Sequence, residues 1–276
     1  MLDRIVKNIS IRESDGNILQ IEVHSELEST LDLMKKYAKA GYPDRYVVIA
    51  DRQKKSTLTG NKSSDVAYED GVFMSLLLRP SIFPSQASLI PLMSAVATVL
   101  ALEEHTDSPM GIGWVSNIYC EGNRIGATVI EGKLDDFTAY EYLIITFAIK
   151  LDNKNFPPRL TDMINKVFNS ENTSISMIIA RNILSKFFKF YPTIKSSSKF
   201  MDIYKTKFIL RGHKVKYGHG PKKRRRKVLG IDSTTGALLI EGKGGTIESV
   251  SSPILIISPK SVRLKKNKKA SPNTVV

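Results

Sequence analysis

The sequence contains one cysteine, Cys120, one tryptophan, Trp114, and no apolar run of about 18 residues or more. A lone cysteine excludes an internal disulfide and suits a reducing compartment. Without a long apolar run, no membrane span is expected. The start, Met1-Leu2-Asp3-Arg4, lacks the basic-then-apolar pattern of a secretory leader, so the expected location is the cytoplasm. The histidines His24, His105, His213 and His219 are scattered. No pair of them has ligand spacing with a third ligand, so no metal site is expected. No G-x-S-x-G, Walker A or H-E-x-x-H motif occurs, and no internal repeat is visible.

What is present suffices for a packed core. The chain has 276 residues and is 42% hydrophobic, enough for one sizeable α/β domain with a small appendage. Its net charge is +14, unevenly spread. The run Lys222, Lys223, Arg224, Arg225, Arg226 and Lys227 and an acid-free tail at 259–276 hold most of it, leaving the body nearly neutral. Such tracts either stay solvated or hold nucleic acid or an acidic protein. The 222–227 run falls between two expected strands, so a compact cationic hairpin tip is expected. With Tyr217 the main aromatic nearby, base stacking is not supported.

Periodicity places strands at 5–11 and 18–23, separated by the turn signal Ser14-Asp15-Gly16-Asn17. Leu27, Leu31, Met34 and Ala38 predict a helix over 26–40. Strands are expected at 46–50 and 72–78, with a polar loop at 51–70. The stretch 87–104 has almost no polar face and predicts a central buried helix, with Pro91 in its first turn. Strands at 112–115, 125–131 and 142–151 follow, then helices at 159–168, 174–190 and 199–208. Five short strands, at 213–217, 226–232, 236–241, 246–250 and 254–257, suggest a small β-barrel. The fold class is therefore α/β (α+β), a mixed sheet packed on helices. Its segments are an N-terminal hairpin (1–23), a main domain (24–208), a C-terminal barrel (209–258) and a basic disordered tail (259–276).

The most informative stretch runs Gly113-Trp114-Val115-Ser116-Asn117-Ile118-Tyr119-Cys120-Glu121-Gly122-Asn123-Arg124-Ile125-Gly126-Ala127-Thr128-Val129-Ile130-Glu131. It resembles, without a gap, the central motif K-W-P-N-D-(I/L)-y-x-x-x-(R/K)-K-x-(A/G)-G-I-L-x-E of the biotin–protein ligase family. Glu28-Ser29-Thr30-Leu31, Gly41-Tyr42-Pro43 and Val47-Val48-Ile49-Ala50-Asp51-Arg52-Gln53 are similar to that family's S-T-N, G-x-P and V-V-x-A-x-x-Q. Phe73-Met74-Ser75-Leu76-Leu77-Leu78-Arg79-Pro80 resembles its y-f-S-l-l-l-R-P strand. Leu210-Arg211-Gly212-His213-Lys214-Val215 and Gly230-Ile231-Asp232, with Gly236-Ala237-Leu238-Leu239, look like its small C-terminal barrel. The resemblance spans roughly residues 25–258. The N-terminal DNA-binding domain of repressor-type ligases has no counterpart in the first 23 residues.

The resemblance implies a reaction. Family members join the carboxylate of biotin to the α-phosphate of ATP, with Mg²⁺ neutralising the leaving group. They then transfer biotin to a lysine of a carrier protein. Joining two anions requires concentrated positive charge and backbone donors at the phosphate. The family supplies these with a loop G-R-G-R-x-G-R and the lysine of the central motif. Here Gly113 takes the lysine position, Asn117 the aspartate and Val115 the proline. The loop reads Lys54-Lys55-Ser56-Thr57-Leu58-Thr59-Gly60-Asn61-Lys62, without arginine. Arg124 takes a lysine position and Ala127 a glycine position. Thr146-Phe147-Ala148-Ile149-Lys150 stands where the family has G-x-G-x-N, so bulk replaces the glycines beside the biotin rings. Losing one charge-stabilising donor costs about 2.7–4 kcal/mol, and several positions change together here.

Two readings stay open. One is a ligase-like protein whose adenylating chemistry is lost or altered. The other is an active ligase of biotin or another carboxylic acid, binding ATP, Mg²⁺ and biotin with Lys54, Lys55, Lys62 or Arg124 as substitutes. A nucleic-acid-binding module using the basic tracts is a third. Ligand-binding candidates are Ser29, Thr30, Gln53, Lys54, Lys55, Lys62, Trp114, Asn117 and Arg124. Ser29 and Thr30 would either bind a ureido group or cap a helix. Trp114 would either fill the core or stack on adenine. Cys120 carries no sign of activation. Partners in view are a biotin carrier protein, an acidic protein, nucleic acid, or a second copy in a homodimer.

Overall fold

Ile9 and Ile11 face Ile21 and Leu19 across a turn at Gly16, whose φ of 82° lies in the left-handed region. This pairing joins β1 (Ile5–Arg12) to β2 (Ile18–Leu27) as an antiparallel hairpin. A computed structural model describes residues 5–12, 16–54, 69–82, 84–136, 139–150, 175–194, 198–217 and 224–251. The expected helix at 159–168, the fifth C-terminal strand at 254–257, the tail, Lys55, Lys62, Lys222 and Lys223 lie outside the described residues.

β2 runs four residues further than its alternation suggests, because Leu27 lies beside Gln53 in a parallel ladder. Helix α1 (Thr30–Lys39) consequently begins at Thr30 rather than at 26, behind an extended Ser29. It crosses over to β3 (Tyr46–Gln53), which lies parallel to β2. β4 (Glu69–Leu78) follows. The Arg79 guanidinium then donates to the carbonyls of Ala38, Tyr42 and Glu141, pinning the end of α1 to the sheet.

The expected helix at 87–104 divides into α2 (Pro84–Ala87) and α3 (Ile90–Glu103). Pro91 sits in the first turn of α3, where its missing N–H leaves no bond unmade. Nearly every α3 side chain is buried, as expected of a helix apolar on all sides. β5 (Met110–Gly113) and β6 (Asn117–Cys120) form a hairpin through the turn 114–116. Trp114 and Val115 therefore belong to a turn, where a strand at 112–115 was expected. A second tight turn leads to β7 (Asn123–Leu134). Its central residues, Glu121 and Gly122, have φ of 50° and 85°, as a two-residue hairpin requires. β8 (Tyr140–Lys150) completes an eight-stranded sheet in the order β1-β2-β3-β4-β8-β7-β6-β5. The sheet is mixed, as expected: β2 and β3 are parallel and the other pairs are antiparallel.

Helices cover both faces. α3, α4 (Ile175–Phe190) and α5 (Ser198–Lys207) pack on one, burying Ile21, Val47, Met74 and Phe147. α1 packs on the other, over Val48, Ala50, Phe73 and Ala148. At the C-terminus, β9 (Lys214–Tyr217), β10 (Arg224–Ile231), β11 (Leu238–Glu241) and β12 (Ile247–Val250) form an antiparallel sheet in the order β12-β11-β10-β9. Among the described residues this sheet does not close into a barrel. The basic run also differs from expectation. Arg224 and Arg225 join Arg226 and Lys227, already expected in the strand at 226–232, as rungs of β10, paired with Tyr217, Lys216, Val215 and Lys214.

Candidate functional site

α1 begins at the sheet because Ser29 supplies a cap. Its extended backbone (φ −163°) lets Oγ accept from the Asp32 N–H at 3.1 Å, satisfying one orphan donor of the first turn. The cap turns Thr30 inward. Thr30 donates to Gln53 Oε1 twice, from its N–H at 2.9 Å and its hydroxyl at 3.2 Å. Ser75, from β4, donates its hydroxyl to Thr30 Oγ1 at 3.1 Å. Thr146, from β8, lies 2.9 Å from Ser75 Oγ and directly opposite it in the ladder. All four side chains are buried.

The proton count of this chain is determined. A hydroxyl has one proton. That of Thr30 goes to Gln53 and that of Ser75 to Thr30, so Thr146 must donate to Ser75. Three hydroxyl protons are thereby used inside the protein, and Gln53 Oε1 accepts twice. Thr30 and Gln53 were sequence candidates. Ser75 and Thr146 were not, although each interrupts a run of apolar strand residues, Met74-Ser75-Leu76 and Ile145-Thr146-Phe147.

The same sheet face continues toward the tryptophan turn through three alanines and Phe73. Ala50 is opposite Phe73, Phe73 opposite Ala148, Ala148 opposite Ala127 and Ala127 opposite Asn117. Asn117 Nδ2 donates to the Trp114 carbonyl at 3.0 Å, and Ser116 Oγ donates to the Thr128 carbonyl at 2.7 Å. Asn117 thus closes the turn, which is joined by a cis Trp114–Val115 peptide. Tyr204, fully buried, donates to the Val115 carbonyl, and its burial keeps the phenol protonated.

Trp114 is 7% exposed, and its Nε1 donates to the Gly236 carbonyl at 3.0 Å. The indole therefore fills the junction between the main sheet and the C-terminal sheet. Gly113 has no side chain, and a Cβ built there would stand 2.8 Å from Cε2 of the Tyr119 ring. Tyr119 pairs with the exposed Arg124 in the β6–β7 ladder. Lys54, exposed, follows the end of β3. Burial pushes the Cys120 thiol up to about 11, so it is a thiol at neutral pH.

A second polar cluster lies under α1. Glu22 and His24, both buried on β2, are hydrogen-bonded to each other. The Tyr37 hydroxyl donates to Glu22 Oε1 at 2.9 Å and that of Tyr46 to Oε2 at 2.7 Å. Burial works to raise the Glu22 pKa, but the bonds from His24, Tyr46 and Tyr37 outweigh it, and the net shift is downward. Only the tertiary fold reveals this cluster, because its members come from β2, α1 and β3.

Among the described residues no three His, Cys, Asp or Glu side chains group as a metal site. Asn117 offers no charge, and its amide is engaged by the turn.

No protein-family model matches the chain. It is 27% identical over 235 residues to the bifunctional ligase/repressor BirA of Bacillus subtilis, covering 80% of this chain and 69% of the relative. It superposes on a mutant biotin protein ligase from Aquifex aeolicus in complex with biotin. That TM-score is 0.64 at 21% identity, over 85% of this chain and 96% of the other. A biotin protein ligase-like protein of unknown function from a Silicibacter species gives a TM-score of 0.60 at 14% identity, over 84% and 94% of the two chains.

Proposed function

We propose that this chain is a biotin–protein-ligase-like protein that keeps the ligase scaffold but not the adenylating chemistry, acting as a binding or assembly protein, a reading supported by its likeness to a curated ligase/repressor and to solved biotin protein ligases. The observation that carries this reading is at Gly113. The family's reactive lysine is missing there, and the Tyr119 ring stands against the space a side chain would enter. The buried Thr30–Gln53–Ser75–Thr146 chain supports it. Thr146 stands at a family glycine position, and its hydroxyl closes a hydrogen-bond chain that engages the Thr30, Ser75 and Thr146 hydroxyls with one another and with Gln53. Asn117 in place of aspartate weakens any hold on Mg²⁺. A biotin carrier domain is the partner to test first.

The test is calorimetry of the full chain with biotin and with MgATP, alongside incorporation of labelled biotin into a carrier domain. No heat with either ligand and no incorporation are expected. A catalysed incorporation that falls when Lys54 or Arg124 is neutralised would overturn the reading in favour of an active ligase with substituted cations. If binding occurs without turnover, Thr146→Gly should tighten it by removing the side chain beside Ser75.

A further inference from the structure

β9 and the first half of β10 form a ribbon at one edge of the four-stranded C-terminal sheet, with two unlike faces. Val215 and Val228 point inward and are buried in the core. Lys214 and Lys216 on β9, and Arg225 and Lys227 on β10, are exposed. The register sets like charges directly opposite each other: Arg225 against Lys216, and Lys227 against Lys214. None of these four side chains has an ion-pair or hydrogen-bond partner among the described residues. Elsewhere the surface does pair its lysines, as with Lys35–Glu131, Lys133–Glu141 and Lys186–Glu104. Like charges placed opposite each other on a ladder oppose folding. The arrangement is thus a fixed concentration of positive charge on a rigid element, which an external anion would relieve.

We propose that this ribbon docks the phosphate backbone of double-stranded nucleic acid, independently of any chemistry at the α1 face. Two features favour a polyphosphate over an acidic protein. The four exposed positions are all lysine or arginine, with no apolar anchor among them. Protein–protein interfaces are depleted of lysine at their centre and need such anchors. The cations repeat about 7 Å along each strand and about 5 Å across, a two-row lattice suited to a regularly charged polymer. Contacts of this kind are sequence-blind and salt-sensitive.

The test is fluorescence anisotropy of a labelled duplex with the full chain, titrated in salt. Four phosphate contacts predict that the log–log slope owes about 3.6 to this ribbon, roughly a 10²-fold loss of affinity between 50 and 200 mM salt. The variant Lys214→Gln/Lys216→Gln/Arg225→Gln/Lys227→Gln should flatten the slope by that amount. Neutralising the lysines and arginine of the 260–269 tail should leave that share in place. The paired variants Lys214→Gln/Lys227→Gln and Lys216→Gln/Arg225→Gln should each remove about half of it, which guards against a fold failure in the quadruple change. An unchanged slope in all three ribbon variants overturns the proposal. So does tighter binding of polyglutamate than of the duplex, which would assign the face to an acidic protein.

Discussion

At the scale of single residues, two positions show how closely the sheet constrains this chain. Gly126 lies in β7 where it meets β8, and a Cβ there would stand 2.5 Å from the Ala148 carbonyl oxygen and 3.1 Å from the Ile149 Cα. Both neighbours are backbone, so neither can swing aside. Gly126→Ala should therefore lower stability by about 2–4 kcal/mol, measured by denaturant unfolding. Glu22 is the second case. Its pKa is held below its ordinary value of 4.5, so it contributes stability that is present above that value and lost as pH falls through the depressed one. Glu22→Gln should cost about 2–3 kcal/mol near pH 7, from weakened charge-assisted bonds. Thermal melts of the variant should be flatter than those of the parent between neutral and acid pH. An equal loss at both pH values would show that Glu22 is not charged in the fold.

At the scale of elements, the hydrophobic patterns located most strands and helices, while their ends were decided by neighbours. β2 extends to Leu27 because Gln53 stands beside it, and α1 waits for the Ser29 cap. The basic run shows the same logic. Its charges suggested a loop tip, yet Val215 and Val228 are buried at alternating positions, and that alternation draws Arg224 to Lys227 into a strand. The strand then carries repulsion that a substitution can remove. Lys216→Glu would oppose Arg225 with an acid and should raise stability by about 0.5–1 kcal/mol in thermal unfolding. The same change should weaken duplex binding, so stability and nucleic-acid affinity should move in opposite directions. Polar elements were less legible. Ser75 and Thr146 are far apart in sequence, and only the β4–β8 register sets them opposite each other.

At the scale of the whole molecule, the junction of the two sheets rests on few groups. The 232–236 turn is ordered by Asp232, which accepts from the N–H groups of Thr234 and Thr235 and from the Thr235 hydroxyl. Ser88 donates to the Thr235 carbonyl, Trp114 to that of Gly236, and Gly236 packs against Leu89 and Leu92. Trp114→Phe keeps most of the apolar contact but leaves the Gly236 carbonyl unmatched, at a cost of about 1–3 kcal/mol. Amide exchange should then speed up across β10, β11 and β12 more than within α3. Uniform acceleration would mean that the indole supports the main domain rather than the junction. The sequence by itself determined most of the elements, their order, a mixed sheet packed on helices and the family resemblance. All of these follow from local hydrophobic period, turn residues and contiguous motifs, which a linear text preserves. Only the tertiary structure decided that Thr30, Gln53, Ser75 and Thr146 spend their protons on one another, that Trp114 serves the junction, and that four cations share one open face. Hydrogen-bond partnership and surface charge depend on which distant strands lie side by side and in what register, and that is set by the packing of the whole chain.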